Sequence, residues 1–296
     1  MKICYVARSF SSESRATIST ANAILEEYAA QGYDLTLRQL YYQFVSRGMI
    51  ANKDAEYKRL GSVINDARLA GEIDWDHITD RTRNLRSNPH WESPRKIVEA
   101  CAEQFQVDKW ANQPNYLEAW IEKDALLGVL EVASEPLDVP YFSCRGYTSQ
   151  SEMWTAAMRI KKQLSSGKAV HVLHFGDLDP SGVDMSRDIR ERIEMFLSHH
   201  LGTARGFELK RIALNMEQVK RYSPPPNPAK VTDSRAIKYI TAYGYESWEL
   251  DALEPRLLTS LIQEAVFALR DQAMWDSSTI AENEARERLR DAAQTL

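Results

Sequence analysis

Apolar residues in the first seventy positions recur at helical spacing. Ile18, Ala21, Ile24, Leu25 and Tyr28 share one face of a helix predicted over 16–30, which Gly32 is placed to stop. Thr36 and Gln39 have the spacing of a capping box, the pattern continues over 37–47, and Gly48 supplies the left-handed residue that ends a helix. A third helix is predicted over 55–70, stopped by Gly71. Over 72–83, Ile73, Trp75, His77 and Ile78 roughly alternate with charged residues, which predicts a short hairpin. Three helices and a hairpin predict a winged helix, and with it a DNA-binding unit over 1–112.

The pattern then changes. Asn88-Pro89, Ser93-Pro94 and Gln113-Pro114 enclose one amphipathic stretch over 95–105 and put the expected domain junction near Gln113. Short apolar runs at 116–121, 140–143 and 169–175 alternate with helical stretches at 123–132, 151–165 and 181–198, the signature of a mostly parallel sheet with crossover helices. The Pro-rich 223–228 segment reads as a rigid loop, and the chain from Glu254 onward reads as helices. The expected fold class is therefore mixed α/β: a helical winged-helix domain over 1–112, then an α/β domain over 113–296 with a C-terminal helical extension.

Bulk properties narrow this picture. The 296 residues, 44% hydrophobic and 27% charged, suit a globular protein of two domains. No apolar run approaches the roughly 18 residues of a membrane span, and Met1 to Ala7 is too short for a secretory apolar region, so a cytoplasmic protein without membrane association is expected. Cys4, Cys101 and Cys144 are odd in number and widely spaced, which predicts free thiols and neither disulfides nor a zinc knuckle. The net charge of −5 argues against nucleic acid as a partner. Locally the balance differs: residues 35–96 hold eleven Lys or Arg against eight Asp or Glu, leaving the acidity to the rest of the chain.

That acidity has a focus. HFGDLDPSG, His174 to Gly182, begins where the apolar strand AVHVLHF ends. Asp177 and Asp179 are two apart and project from one side of an extended segment, at the carboxyl edge where open sheets bind ligands. Asp-Pro-Ser-Gly is also a respectable turn and helix cap. Glu122 closes the earlier strand YLEAWIE at the same edge, so three carboxylates are expected to converge. Hard oxygen ligands without His or Cys select magnesium or manganese. His171 and His174, three apart in a strand, face opposite sides and read as structural. A second focus is TLRQLYYQFVSRG, Thr36 to Gly48. Leu37, Leu40, Tyr41 and Phe44 form an apolar stripe, so Tyr41 is expected in the core, whereas Tyr42 lies about 100° further round, one turn after Arg38. A phenol of pKa near 10 needs a nearby cation to act as a nucleophile.

Glu122 followed about fifty residues later by Asp-x-Asp after a buried strand resembles the Toprim fold, over about 115–216. Arg-x-x-Tyr-Tyr on a winged-helix pattern ahead of it resembles the topoisomerase VI A subunit and its meiotic double-strand-break relatives; KVTDSR (Lys230 to Arg235) and WELDAL (Trp248 to Leu253) extend the likeness over most of the chain. The resemblance implies Tyr42 as nucleophile, Arg38 as its neighbour at the phosphate, and Glu122, Asp177 and Asp179 as ligands of Mg2+, or of Mn2+ in its place. It implies double-stranded DNA as substrate and a 5′-phosphotyrosyl link as intermediate. It also implies a homodimer in which the tyrosine of one subunit meets the metal of the other, with a separate ATPase subunit as a further partner. Glu249 and Asp251 receive no role. Arg81 and Arg83, with Trp75 and Arg86, are the expected phosphate contacts of the wing. Two other readings stay open: a Toprim nuclease in which water attacks, as in defence nucleases, and a DNA-binding scaffold without catalysis.

Overall fold

The computed structural model describes residues 1–79 and 88–296, and the chain is a mixed α/β protein. Its first three helices are α1 (Ser12–Ala29), α2 (Leu37–Ser46) and α3 (Asp54–Leu69). The Thr36 hydroxyl accepts the Gln39 N–H while the Gln39 side chain accepts the Thr36 N–H, closing the expected capping box. Ile18, Ile24, Leu25, Leu40, Phe44, Leu60 and Ile64 bury against one another as the core of this region.

The expected hairpin is absent from 72–79. Ile73 and Ile78 both enter the helical core, and an odd separation of five positions between two buried residues breaks a strand's alternation. The backbone partner here is the segment before α2: Leu35 N–H donates to the His77 carbonyl at 3.2 Å, and Thr79 N–H to the Leu35 carbonyl at 3.1 Å. Trp75 packs beneath Arg68, whose guanidinium carbon stands 4.4 Å from the ring centroid. Arg81, Arg83 and Arg86 lie outside the described residues.

Helix α4 (Pro94–Gln104) packs along the last helix, α11 (Gln272–Gln294). Between them the buried Glu282 accepts the Val107 N–H at 3.1 Å and pairs with Lys109 and Arg286. Gln113, at the expected junction, is itself buried; its amide bonds both the carbonyl and the N–H of Asp271.

Four parallel strands, β1 (Asn115–Ile121), β2 (Tyr141–Ser143), β3 (Ala169–Phe175) and β4 (Phe207–Ala213), stand in the order β2-β1-β3-β4. Alternation divides their side chains. Leu117, Ala119, Ile121, Leu173 and Phe175 pack with α5 (Leu127–Ser134) and α10 (Pro255–Phe267). Trp120, Val170, Val172 and Leu209 pack with α6 (Gln150–Ser165) and α7 (Pro180–Leu201) on the opposite face. After β4 come α8 (Met216–Tyr222), β5 (Asn227–Pro228), α9 (Ala236–Tyr243) and β6 (Glu246–Ser247), with β5 and β6 antiparallel. The 223–228 segment thus runs from a loop into a short ladder. None of the described helices is long and apolar enough to cross a membrane.

Candidate functional site

The central strands β1 and β3 end side by side, with Ile121 opposite Phe175, so the residues just beyond them share one edge. Glu122 and Lys123 leave β1 there, and Gly176 to Asp179 leave β3. The Leu178 and Trp248 backbones exchange N–H donors at 2.8 and 2.9 Å, which draws residues 248–251 onto the same edge. Leu250 N–H then donates to Asp177 Oδ1 at 2.7 Å.

Each expected carboxylate has a protein donor. Glu122 Oε2 accepts the Asp177 N–H at 2.9 Å and lies under the first turn of α7, where a Cβ on Gly182 would stand 2.9 Å from it. Asp177 is buried, with Oδ2 3.1 Å from Lys123 Nζ. Asp179 caps α7, Oδ1 accepting the Gly182 N–H at 2.6 Å and the Ser181 hydroxyl at 3.0 Å. Among the described residues no group of three or more His, Cys, Asp or Glu side chains is gathered as for an ion, so the expected three-way convergence is not formed. Asp177 and Asp179 both face the cleft; Glu122 stands behind them. Burial, then the Asp177 charge, pushes the Glu122 carboxyl up to about 8, and burial pushes Asp177 up as well, against the pull of Lys123. The fit to magnesium is one of kind: an oxygen-only pair facing a cleft, of the sort that binds Mg2+ together with a substrate phosphate and water.

Tyr42 comes to this edge from α2. With Arg38, Tyr41, Asn52, Lys53 and Tyr57 it forms one wall of a cleft of about 470 Å³ whose other wall includes Lys123, Asp177, Asp179, Asn227, Lys230 and Glu249. The sequence put Tyr42 on a polar helix face; that face is covered by residues 249–251, and Tyr42 is only 3% exposed. Its hydroxyl lies beside the Glu249 carboxylate. Burial, then the Asp251 and Glu249 charges, pushes its pKa up, and Arg38 opposes this only in part. Tyr41 is in the core as expected, its oxygen accepting the Lys53 N–H at 2.8 Å.

Arg38 is tied down. Its Nη2 donates to Glu249 Oε2 at 2.8 Å and its Nε to Asp251 Oδ2 at 3.0 Å. Lys123 Nζ reaches the same two carboxylates, each at 2.7 Å. Glu249, although half-buried, is held down at about 2 by Lys123, Tyr42 and Arg38. No family model matches the chain, and no curated protein matches it. The likeness to topoisomerase VI A subunits therefore rests on the motifs.

Four functional candidates escaped the sequence. Glu249 and Asp251 repeat the Asp-x-Asp spacing and lie in WELDAL, which was the available signal. Lys123 adjoins Glu122, but only the fold reveals its three carboxylate neighbours. Arg211, in β4, donates to the carbonyls of Gly176, Asp177, Gly182 and Leu214 and to the Ser186 hydroxyl, fixing the loop that carries Asp177. A lone arginine in FELKRIA gives no such signal. His171 bonds Glu208 and Asn115; His174 is wholly buried, its Nδ1 2.9 Å from Ser186 Oγ, and burial lowers it to about 3. Both belong to the scaffold, as expected.

Proposed function

We propose that the protein breaks DNA strands by magnesium-supported transesterification, with Tyr42 as the nucleophile, as topoisomerase VI A-like enzymes do. The observation that carries this reading is the cleft that Tyr42 shares with Asp177 and Asp179. Lys53, Lys123, Lys230 and Arg38 line it too, a set of cations suited to a phosphodiester. The Tyr42 oxygen attacks phosphorus, the bond to the 3′-oxygen breaks, and the chain retains a 5′-phosphotyrosyl ester while the departing 3′-oxygen takes a proton from water and is released as a 3′-hydroxyl. Glu249 is the carboxylate beside the phenol, and it takes that proton once Arg38, one of the cations that hold it down, has turned away from it. Arg38 turns toward the phosphate, and its charge balances the phenolate. Asp177 and Asp179 hold magnesium, or manganese, which when bound supplies positive charge next to the reacting phosphate. Religation is the reverse.

Double-stranded DNA is the proposed partner, in a cytoplasmic setting. A homodimer and a separate ATPase subunit belong to the same proposal.

One observation favours water as the attacking group instead: a phenol raised by burial, beside two carboxylates, resists ionisation. Incubation with supercoiled DNA and magnesium, stopped in denaturant, separates the two readings. Transesterification leaves protein covalently on the DNA, and both Tyr42→Phe and Asp177→Asn abolish the adduct. Hydrolysis leaves free phosphate ends, and Tyr42→Phe still cuts.

A further inference from the structure

A second cavity, of about 500 Å³, continues the walls of the cleft that holds Tyr42. Helix α2 gives it Gln43 and Arg47, the chain leading into β5 gives it Tyr222 and Pro224, and the chain after Asp251 gives it Leu253 and Leu257. Gln43 follows Tyr42 directly, their Cα atoms about 3.8 Å apart, so α2 presents these two side chains to neighbouring cavities. Gln43 is only 3% exposed. Its backbone carbonyl accepts from the Ser46 hydroxyl and the Arg47 N–H, both at 3.2 Å, but its side-chain amide bonds nothing among the described residues. Nearly all buried polar groups are paired, so an open amide facing a cavity marks a place where something else completes it.

We infer that this pocket takes an adenine turned out of the strand that Tyr42 breaks, with the Gln43 amide reading its edge. The inference rests on the transesterase reading for its choice of ligand, and on the pocket for its geometry. An amide carries a donor and an acceptor side by side, the pattern that pairs bidentately with adenine. Its oxygen accepts from the exocyclic amino group, and its nitrogen donates to the adjacent ring nitrogen. Leu253, Leu257 and Pro224 supply apolar surface for the faces of a ring, and Tyr222 an aromatic one on which a base stacks. Arg221 is exposed, its guanidinium carbon 5.2 Å from the Tyr222 ring centroid, and has no carboxylate partner among the described residues; it is the cation for the phosphate of the same nucleotide. A base held in a duplex has neighbours on both faces, where the pocket puts its own walls, so the adenine leaves the stack to enter. The pocket belongs to the chain that carries Tyr42, whichever copy supplies the metal.

Photo-cross-linking tests this without cleavage. Wild-type protein in chelator is bound to a duplex with one azidoadenine at its centre, opposite a second adenine, and irradiated. An unpaired base leaves the stack at least cost. The cross-link should fall on the pocket wall, at 222–224 or 253–257. A cross-link that misses these residues, or none at all, overturns the inference, and this result depends on no variant's folding. In competition without the azide, the adenine–adenine mismatch should bind roughly tenfold tighter than the fully paired duplex, the scale of one bidentate contact. Gln43→Met keeps the size of the side chain and removes the amide, so it should erase that advantage. An advantage kept in Gln43→Met, or an equal one for a thymine–thymine mismatch, also overturns the inference. The covalent adduct formed in magnesium reports the transesterase reading separately. Adduct without a cross-link at the pocket sinks the pocket alone, and a cross-link there without adduct sinks the transesterase reading alone.

Discussion

A phenol attacks phosphorus only after its proton has somewhere to go, and the surroundings of Tyr42 hold that proton in place. Burial and the Glu249 and Asp251 charges favour the neutral form. Arg38, the cation expected to stabilise the phenolate, is shared with those same carboxylates. Tyr42→Phe removes a single hydroxyl beside the Glu249 carboxylate, so the unfolding free energy from urea titration should change by no more than about 1 kcal/mol while adduct formation disappears. Tyr41→Phe should behave in the opposite way. It strands the Lys53 N–H, costs about 1–2 kcal/mol, and keeps the adduct; loss of adduct there with Tyr42→Phe still active would reverse the two roles. Glu122 gives a pH signature. Its carboxyl is raised from 4.5 to about 8 in the folded chain, so the fold binds its proton more tightly than the unfolded chain does. That contribution to stability is complete below pH 4.5 and is lost as pH rises through about 8. With chelator present, Glu122→Gln should therefore gain on the wild type between pH 5 and pH 8.5, as read from urea midpoints. A gap constant with pH would mean that the Glu122 carboxyl is not raised. Magnesium should in turn stabilise the wild type more at the higher pH, because ligand carboxylates must be deprotonated to bind it.

Elements whose ends are marked by local chemistry were legible in the sequence. The capping box at Thr36, the stops at Gly32, Gly48 and Gly71, and the strand over Ala169–Phe175 all stand where the pattern put them. Elements defined by distant partners were not. The 72–79 segment alternates weakly because its backbone pairs with Leu35, and β4 escaped because its charged residues mask its buried ones. The site divides in the same way. Asp177 and Asp179 follow from a strand end, whereas Glu249 and Asp251 reach it through the Leu178–Trp248 pairing, which joins residues seventy apart. The turn between β3 and α7 has its own test. A Cβ at Gly182 would lie 2.3 Å from the Asp177 carbonyl oxygen as well as 2.9 Å from Glu122 Oε2, and the backbone oxygen cannot swing aside as a flexible side chain does. Gly182→Ala should cost about 1–3 kcal/mol and weaken the magnesium-induced rise in thermal midpoint, since relieving the clash moves Asp177. An unchanged midpoint with full magnesium response would show that the turn is not tightly packed.

Across the whole molecule, the helical core and the sheet edge are joined through charges that share partners. Arg38 arrives from α2 and Lys123 from the end of β1, and both hold Glu249 and Asp251. Lys123 is 18% exposed in its side chain and also pairs with Asp177, so Lys123→Met leaves three carboxylates short of an ammonium and should cost about 3 kcal/mol. Arg38 is 46% exposed and more screened by solvent; Arg38→Met should cost about 1 kcal/mol. The double variant discriminates shared partners from independent ones. Two cations on one pair of carboxylates repel each other, so removing either lets the survivor hold the pair more tightly. Removing that survivor then costs more than it did in the intact protein. At pH 8 without metal, the double loss should therefore exceed the sum of the single losses by about 1 kcal/mol, the scale of coupling between contacting residues. The excess should shrink at pH 5, because the raised Asp177 carboxyl takes up a proton and less negative charge is left uncompensated. Urea denaturation of the four proteins at both pH values measures this directly. Simple additivity at pH 8 would mean that Arg38 and Lys123 act on separate groups, and the charged joint between the tyrosine helix and the acidic edge would not be one unit.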